Sequence, residues 1–358
     1  MDATFDGAAV RAGRAAREQF HDARGYGRPD DGGVVLAPVE AAHLLFRGDL
    51  DAVVDRRPAE NGRRLDFGAF LASTAVSEVD FLVYKDLRDR GFYLSPAEDG
   101  EFTVYPRGKG PWDGEVAYRV RAVSERATVA ARDLRGMAAG ENSTETDGAE
   151  SGDGEDAADA TGVLAVVDEE SELTYLELGA PTLSGSTHHD LPAVEGDLLA
   201  DRVLVRDAPD PLHGKAFYGQ PLAAGVQLSL VEAAYLARIG TLAVEGGEAA
   251  VVERGRAVEG ERFDRRLRTY GALRTAGIVP KTGFKFGADF RTYDDVADVE
   301  HLGHSERLVR VLAPEHAFAP RDLALDVRLA GGVRKRMVYA LTGATGDLAW
   351  LSVTRLTP

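Results

Sequence analysis

The chain contains no cysteine, so disulfide bonds and thiolate metal sites are excluded, and a cytoplasmic protein is the simple interpretation. No apolar run approaches the roughly 20 residues of a membrane-spanning helix. The polar start, Met1-Asp2-Ala3-Thr4, does not resemble a signal peptide. With 358 residues, of which 44% are hydrophobic, the sequence predicts a soluble protein with about two domains.

Lysine is scarce, since only six of the 42 basic residues are lysine and the other 36 are arginine. The 59 Asp and Glu residues give a formal net charge of −17. An acidic, lysine-poor surface is typical of a protein that works in concentrated salt, where screening weakens self-repulsion. The composition therefore favours a halophilic source.

A net negative charge is unusual for a nucleic-acid-binding protein, which should carry a basic footprint. The charge is uneven, however. Residues 261–358 hold 16 Arg or Lys and 12 Asp or Glu, a net of +4, which leaves −21 for residues 1–260. The basic surplus at the end of the chain is consistent with a phosphate-bearing partner.

Short segments of the first half recur in the second half, as expected of a repeated architecture. Their offsets are 192, 186, 188, 189 and 189 residues for the pairs Val39–Ala42 and Val231–Ala234, Tyr84–Gly91 and Tyr270–Gly277, Phe102–Tyr105 and Phe290–Tyr293, Val120–Val123 and Val309–Leu312, and Arg132–Leu134 and Arg321–Leu323. Offsets this uniform predict a tandem duplication, whose halves are called repeat 1 and repeat 2 below.

Each repeat is predicted to be α/β (α+β), with a small N-terminal part and a mixed-sheet part. Ser229 and Glu232 form a possible capping box, and Pro38 is a favoured first-turn residue of the matching helix. Further helices are predicted at Val79–Arg90, Phe263–Thr275 and Arg328–Arg336. Strands are predicted at Glu101–Tyr105, Tyr118–Val123, Val163–Val167 and Leu173–Leu178, and in repeat 2 at Asp289–Tyr293, Leu308–Leu312, Met337–Leu341 and Leu348–Val353.

Two stretches are predicted to lie outside the folded parts. Residues 138–160 are acidic and rich in Gly, Ser and Thr, which is typical of a solvated insert. Residues 182–197 form the predicted linker; their His188-His189-Asp190 could suggest a metal site, but a linker lacks supporting residues and the linker interpretation is preferred. The predicted parts are residues 1–181 (non-catalytic repeat), 182–197 (linker), 198–262 (N-terminal subdomain) and 263–358 (catalytic subdomain).

Tyr293, His304 and Lys335 are the candidate catalytic residues. RNA cleavage without a metal needs a base for the 2′-hydroxyl, an acid for the departing 5′-oxygen and a cation for the transition state. Tyrosine, histidine and lysine can fill these roles, tyrosine only with cations nearby. Each also has an ordinary explanation: a strand tyrosine, a surface turn and a solvated basic run.

Comparison of the repeats sharpens this set. Tyr293 matches Tyr105, but His304 falls on Glu115, and Lys335 falls on Thr146 or, with realignment, on Thr161. Repeat 1 therefore lacks the acid and the cation, as expected if only repeat 2 is catalytic.

The end of the chain resembles the archaeal tRNA-splicing (tRNA-intron) endonucleases. The resemblance rests on Leu273–Gly277, the Phe-Gly-x-x-Phe-x-x-Tyr segment Phe286–Tyr293, His304-Ser305 and Val333-Arg334-Lys335, in this order. It implies restriction-endonuclease-like folds, no cofactor and no metal. Tyr293 would be the base, His304 the acid and Lys335 the stabilising cation, and the products would be 2′,3′-cyclic phosphate and 5′-hydroxyl ends.

The resemblance also implies a pair of flat side chains that hold a flipped bulge base. Arg328 and Trp350 are the candidates, with Arg355 as the alternative to Trp350, which is about as well explained as a core residue. The tandem form resembles homodimeric members whose acidic loop inserts into the other subunit. Asp168, Glu169, Glu170 and Glu172 fit that loop, although an exposed turn explains them too.

The resulting prediction is an endoribonuclease that excises introns from precursor tRNA at bulge-helix-bulge junctions, without membrane association. A catalytically silent, RNA-binding subunit is the alternative, but retention of all three candidate residues argues against it. A metal-dependent nuclease of restriction-enzyme type would need paired acids and a lysine at close spacing, and no convincing set is present.

Overall fold

The computed structural model describes residues 2–58, 60, 62–97, 100–140, 160–343 and 346–358. Most of the acidic insert predicted at 138–160 lies outside the described residues. The chain divides into two units. Unit 1 contains Met1–Gly179, Ala317–Ala324 and Arg355–Pro358, and unit 2 contains Ala180–His316 and Leu325–Thr354.

The strands of the first half are β1 Asp2–Phe5, β2 Val10–Ala12, β3 Arg28–Asp30, β4 Gly33–Leu36, β5 Ala52–Asp55, β6 Arg64–Leu65, β7 Leu94–Pro96, β8 Glu101–Val104, β9 Tyr118–Ser124, β10 Val129–Ala130, β11 Thr161–Val167 and β12 Leu173–Gly179. The helices are α1 Arg14–Ala16, a π-helix Arg17–Asp22, α2 Pro38–Phe46, α3 Phe67–Ala72, α4 Glu78–Asp89 and α5 Ala131–Ala139.

The strands of the second half are β13 Val194–Glu195, β14 Asp197–Leu198, β15 Arg202–Val205, β16 Gln220–Leu222, β17 Gly225–Ser229, β18 Leu242–Ala243, β19 Val279–Thr282, β20 Phe290–Tyr293, β21 Arg307–Leu312, β22 Ala317–Phe318, β23 Arg336–Thr342 and β24 Leu348–Leu356. The helices are α6 Asp210–Gly214, α7 Leu230–Arg238, α8 Gly247–Glu259, α9 Arg262–Thr275, the 3₁₀-helices Phe284–Phe286 and Val299–His301, and α10 Pro320–Gly332.

In unit 1, one sheet has the strand order β3-β4-β2-β1-β5-β6. The second sheet follows α4 and has the order β7-β8-β9-β11-β12, in which only β9 and β11 are parallel to each other. β10 pairs with β22. One apolar core, which includes Phe5, Leu36, Tyr84 and Val163, joins both sheets through α2 and α4.

In unit 2, β14-β15-β17-β16 form the small sheet, and β13 pairs with β18. The larger part has the order β19-β20-β21-β23-β24, with β21 parallel to β23 and the other neighbours antiparallel. Leu267 and Tyr270 of α9 pack in one core with Phe290, Val309 and Val338 of this sheet. α9 therefore covers one face of the sheet.

The capping box predicted at the start of α7 is confirmed. Ser229 Oγ accepts a hydrogen bond from the Glu232 N–H at 3.3 Å, and the Glu232 carboxylate accepts one from the Ser229 N–H at 3.0 Å. α4 and α9 end next to Gly91 and Gly277, whose φ angles of 90° and 76° suit the left-handed turn after a helix.

The helix predicted at Arg328–Arg336 is wrong in its bounds. The observed helix, α10, begins eight residues earlier, at Pro320, a residue suited to the first helical turn, and ends at Gly332. Arg334 then adopts φ of 57°, and the Lys335 N–H donates to the Ala330 carbonyl at 2.9 Å. Lys335 therefore lies in the connection between α10 and β23, because the two glycines end the helix instead of continuing it.

No helix in the described part of the chain is both long and apolar enough to cross a membrane.

Candidate active site

The register of three strands brings the candidate catalytic segments to one edge of the sheet in unit 2. Tyr293 is the last residue of β20, and its neighbour Thr292 pairs with Arg307, the first residue of β21. Arg307 in turn pairs with Arg336, the first residue of β23. The end of β20, the loop with His304 before β21 and Lys335 before β23 therefore meet at this edge.

Hydrogen bonds join the three segments. The Glu306 N–H donates to the Thr292 carbonyl at 2.9 Å, and the Arg336 N–H donates to the Glu306 carbonyl at 3.0 Å. The Lys335 ammonium donates to the Ser305 carbonyl, with 2.7 Å between Nζ and O. Lys335 is thus anchored to the residue that directly follows His304.

The candidate residues differ in exposure. Tyr293 is 7% exposed and packs in a small apolar cluster with Phe217, Val279 and Val296, apart from the main core. His304 is exposed and Lys335 is half-buried. The buried ring of Tyr293 is therefore held from behind, while the imidazole and the ammonium lie closer to solvent.

Arg291 was not singled out from the sequence. It precedes Tyr293 by two residues on β20, so both side chains lie on the same face. Its guanidinium carbon lies 5.8 Å from the centroid of the Tyr293 ring. Among the described residues, its buried Nε has no hydrogen-bond partner. The alternation of Arg291 with Tyr293 along a strand was the signal that could have identified it.

Lys335 has a pKa below its ordinary value. Burial is the main cause, the charge of Arg291 adds to it, and the Glu306 carboxylate opposes it. The effect of Arg291 on Lys335 indicates that the two cations share one environment. Two partly desolvated cations, one of them close to the Tyr293 ring, can bind an anionic group.

The turn between β19 and β20 adds aromatic groups. Lys335 Nζ lies 5.7 Å from the centroid of the Phe286 ring. Phe284, in the same 3₁₀-helix, is 86% exposed. An exposed aromatic ring such as that of Phe284 can stack on a nucleic-acid base. The sequence motif Phe286–Tyr293 includes Phe286 without assigning it a role, and Phe284 lies outside that motif.

Arg328 and Trp350 are not brought together by the structure. Arg328 is exposed on α10. The Tyr339 hydroxyl of β23 donates to the Asp326 carboxylate of α10 at 2.9 Å, so α10 covers the sheet face on which the Tyr339 side chain lies. Trp350 pairs with Ala340, which follows Tyr339 in β23. Successive residues of a strand point to opposite faces, so Trp350 lies on the sheet face that α10 does not cover. There Trp350 is partly buried against the core of unit 2.

Arg355, the alternative to Trp350, is exposed near the end of β24. Arg355 follows Trp350 by five residues on β24. Because side chains alternate along a strand, Arg355 lies on the face opposite to that of Trp350.

The acidic residues form the exposed turn between β11 and β12. The Asp168 carboxylate accepts hydrogen bonds from the N–H groups of Glu170 and Glu172, both at 2.9 Å, which fixes the turn. Glu169 forms an ion pair with Arg126. The turn is therefore a defined, negatively charged projection of unit 1.

Unit 2 contains a cleft of about 710 Å³ whose charged lining residues are four arginines and three acidic residues: Arg238, Arg256, Arg265, Arg268, Glu261, Asp264 and Glu315. Among the described residues, the buried Nε of Arg265 has no hydrogen-bond partner. Across the described part of the chain, no group of three or more His, Cys, Asp or Glu side chains is arranged to hold a metal ion.

Comparison with known proteins gives two family matches. The model of the tRNA intron endonuclease catalytic C-terminal domain matches residues 77–175 and 263–350. The model of the tRNA intron endonuclease N-terminal domain matches residues 1–70 and 194–254. Each domain matches twice, which confirms the tandem duplication.

Full-length relatives agree with these matches. The chain is 56% identical to a tRNA-splicing endonuclease of Haloarcula marismortui and 53% identical to one of Natronomonas pharaonis, each over 100% of both chains. It is 36% identical to a tRNA-splicing endonuclease of Methanosarcina mazei, over 93% of this chain and 92% of the relative. The haloarchaeal relatives fit the halophilic composition.

Proposed function

The chain belongs to the tRNA intron endonuclease family, and from this premise we propose that it is an endonuclease that excises introns from precursor tRNA. The finer proposal is that it cuts bulge-helix-bulge junctions and leaves 2′,3′-cyclic phosphate and 5′-hydroxyl ends. The convergence of Tyr293, His304 and Lys335 at one sheet edge carries this proposal. A tRNA-processing role also favours the cytoplasm.

In the proposed reaction, the 2′-oxygen attacks the adjacent phosphorus and the bond between phosphorus and the 5′-oxygen breaks. Tyr293, as phenolate, accepts the proton of the 2′-hydroxyl, and His304, as imidazolium, donates a proton to the leaving 5′-oxygen. One proton enters the site and one leaves it, so exchange with solvent restores both residues.

Negative charge grows on the non-bridging phosphate oxygens during this step. The Lys335 ammonium uses one of its three N–H groups for the Ser305 carbonyl, which leaves two for these oxygens. Partial burial strengthens that attraction because fewer water molecules compete for the charge. Arg291, close to the Tyr293 ring and within electrostatic range of Lys335, adds a second positive charge that can attract the phosphate.

Recognition of the substrate is proposed to depend on RNA shape and on bulge bases that leave the stack. Arg328, exposed on α10, is proposed to stack on one such base. Trp350 was the partner chosen from the sequence, but its packing against the core favours Arg355, which is exposed.

Two scissile bonds in one substrate favour an enzyme with two active sites, so we propose a homodimer. The turn with Asp168, Glu169, Glu170 and Glu172 would dock into the arginine-lined cleft of the partner copy. The four arginines of the cleft outnumber its three acidic residues, so its net charge is opposite to that of the turn, which supports this pairing.

The test is cleavage of a bulge-helix-bulge precursor in concentrated salt with a chelator present. We expect two cuts that leave cyclic phosphate ends. His304→Ala, Lys335→Ala and Tyr293→Phe should each slow cleavage on the order of 10²- to 10⁴-fold. Tyr105→Phe, at the matching position of repeat 1, and His301→Ala, on an exposed neighbour of His304, should cleave normally.

A wild-type protein that folds and binds the precursor but does not cut it would favour the silent RNA-binding subunit. Loss of wild-type cleavage in chelator, with recovery on adding Mg²⁺, would contradict the metal-independent mechanism. Equal losses in Tyr105→Phe and Tyr293→Phe would contradict the assignment of catalysis to repeat 2.

A further inference from the structure

Phe217 has a backbone conformation that bulky residues rarely adopt. Its φ angle is 55°, in the left-handed region. Such conformations are strained and persist where the surrounding structure imposes them, often at functional sites. Phe217 lies between α6 and β16 in unit 2, far from the catalytic motif in sequence.

Repeat 1 shows that this turn does not need a phenylalanine. At the offset of 192 residues, Phe217 matches Gly25, whose φ is 66°. The next glycines also match, since the N–H of Gly27 donates to the carboxylate of Glu40 at 2.8 Å and that of Gly219 donates to Glu232 at 2.9 Å. The same turn therefore forms with glycine, which adopts positive φ without strain.

The need to fill the space beside the turn does not explain why repeat 2 has Phe217 where repeat 1 has Gly25. In repeat 1 the ring beside the turn comes from Tyr93, and a Cβ on Gly25 would lie 2.8 Å from Tyr93 Cδ1. The position that matches Tyr93 in repeat 2 is Val279, which packs with Phe217. A ring is thus present in both repeats, but only repeat 2 places it on a strained backbone.

The ring of Phe217 contacts Tyr293. The two centroids are 5.7 Å apart and the ring planes meet at 64°, a favourable edge-to-face geometry. The His213 ring lies 5.5 Å from Phe217. Phe217 is itself 7% exposed, so it forms a fixed wall behind the candidate base.

Lys281 holds this wall in place. Its Nζ donates to the carbonyls of Phe217 and Gly219, at 3.1 and 2.9 Å, and to the Glu232 carboxylate at 3.1 Å. It also lies 4.7 Å from the centroid of the Phe217 ring. The strained residue is therefore tied to β19, the strand that pairs with the strand of Tyr293.

Repeat 1 replaces this arrangement. The position that matches Lys281 is Ser95, whose hydroxyl is hydrogen-bonded to the hydroxyl of Tyr105 at 2.9 Å. Tyr105 matches Tyr293. Among the described residues, no such bond is found for the Tyr293 hydroxyl. The repeat without the acid and the cation thus occupies its tyrosine hydroxyl, while the other repeat holds its tyrosine by the ring.

We propose that Phe217, anchored by Lys281, is a positioning residue that holds the Tyr293 ring so that its hydroxyl faces the 2′-hydroxyl of the RNA. This inference rests on the proposed function. It predicts that Phe217 affects catalysis only through the hydroxyl of Tyr293.

The test is a double-mutant cycle of Phe217→Gly and Tyr293→Phe, with single-turnover cleavage and the melting temperature as measurements. Phe217→Gly introduces the residue that repeat 1 uses, so we expect the fold to persist. Its kcat should fall on the order of 10- to 100-fold with KM nearly unchanged, because the base is misplaced. In the Tyr293→Phe background, the same substitution should change the rate less than about threefold.

Phe217→Leu serves as a second variant, since it keeps apolar volume but lacks the ring edge; it should lie between wild type and Phe217→Gly. Equal fold-losses in both Tyr293 backgrounds would show a merely structural role and overturn the inference. Full activity of Phe217→Gly, or of Phe217→Leu if the glycine variant does not fold, would also overturn it. A wild type that cuts no precursor would instead remove the proposed function, and this inference with it.

Discussion

Replacing Lys281 with methionine would leave the Glu232 carboxyl buried without its ion-pair partner. In the native protein, burial acts to raise the pKa of Glu232, but the charge of Lys281 and the N–H groups of Ser229 and Gly219 outweigh burial and lower the pKa to about 2. Glu40 shows what happens to this carboxyl when no lysine is its partner. It occupies the position in repeat 1 that matches Glu232, and burial raises its pKa to about 7.

The direction of the pH effect follows from these two values. In wild type, the folded pKa lies below the ordinary 4.5, so the stability from Glu232 is complete above about pH 4.5 and is lost as pH falls toward 2. In Lys281→Met, the folded pKa should lie above 4.5, as for Glu40. In this variant, the stability that Glu232 contributes is present below about pH 4.5 and is lost as pH rises through 7.

With the pKa of Glu40 assigned to Glu232, the free energy of unfolding of Lys281→Met should fall by about 2–3 kcal/mol from about pH 5 to about pH 8. The same contribution in wild type should be nearly constant over this range. At about pH 8, loss of one partner of a buried ion pair should cost about 3–5 kcal/mol.

Denaturant unfolding of wild type and Lys281→Met at both pH values, at constant salt, measures this difference. The titration of Glu40 is common to both proteins and cancels when they are subtracted. Lys285→Met, on an exposed lysine four residues away, is the matched control and should follow wild type. If the difference between Lys281→Met and wild type is independent of pH, the assigned ion pair does not set the charge state of Glu232.

Three further outcomes are expected. Arg291→Ala should lower kcat about 10- to 100-fold and raise the pKa of Lys335, and Arg291→Lys should retain more activity; a pH–rate profile identical to wild type would contradict this role. Trp350→Ala should destabilise unit 2 by about 2–3 kcal/mol. Arg355→Ala should leave the melting temperature unchanged and weaken binding of bulge RNA. The reverse pattern would favour Trp350 as the residue that stacks on the bulge base. Glu170→Lys should convert the proposed dimer to monomer in sedimentation experiments, and an unchanged mass would argue against docking by the acidic turn.

Much of the fold was predictable because the same sequence pattern occurs twice in the duplicated chain. The capping box at Ser229 indicated the start of α7, and the glycines at 91 and 277 indicated the ends of α4 and α9. Periodicity identified the strands around Tyr105 and Tyr293. The helix at α10 was misplaced because Gly331 and Gly332 were taken as helix interior, although paired glycines more readily end a helix. The resemblance to restriction-endonuclease-like folds and the predicted domain boundaries stay predictions.

The site was only partly predictable. Tyr293, His304 and Lys335 could be named from motifs, because their spacing relative to strand ends is a property of the sequence. The strained backbone of Phe217 depends on tertiary contacts, so a single repeat gives no sign of it. The alignment of Phe217 with Gly25 was the available signal, since glycine marks positions that require positive φ.

The junction between helix and strand after α5 and α10 has a consequence for engineering. In repeat 2, residues 333–335 connect α10 to β23 and include Lys335. In repeat 1, residues 140–160 connect α5 to β11, yet β11 still pairs in parallel with β9 as β23 does with β21. The same architecture therefore accepts connections of very different length. A foreign peptide or reporter domain inserted between α5 and β11 should leave the enzyme active, whereas one residue added before Lys335 should displace the ammonium from the position proposed for the phosphate.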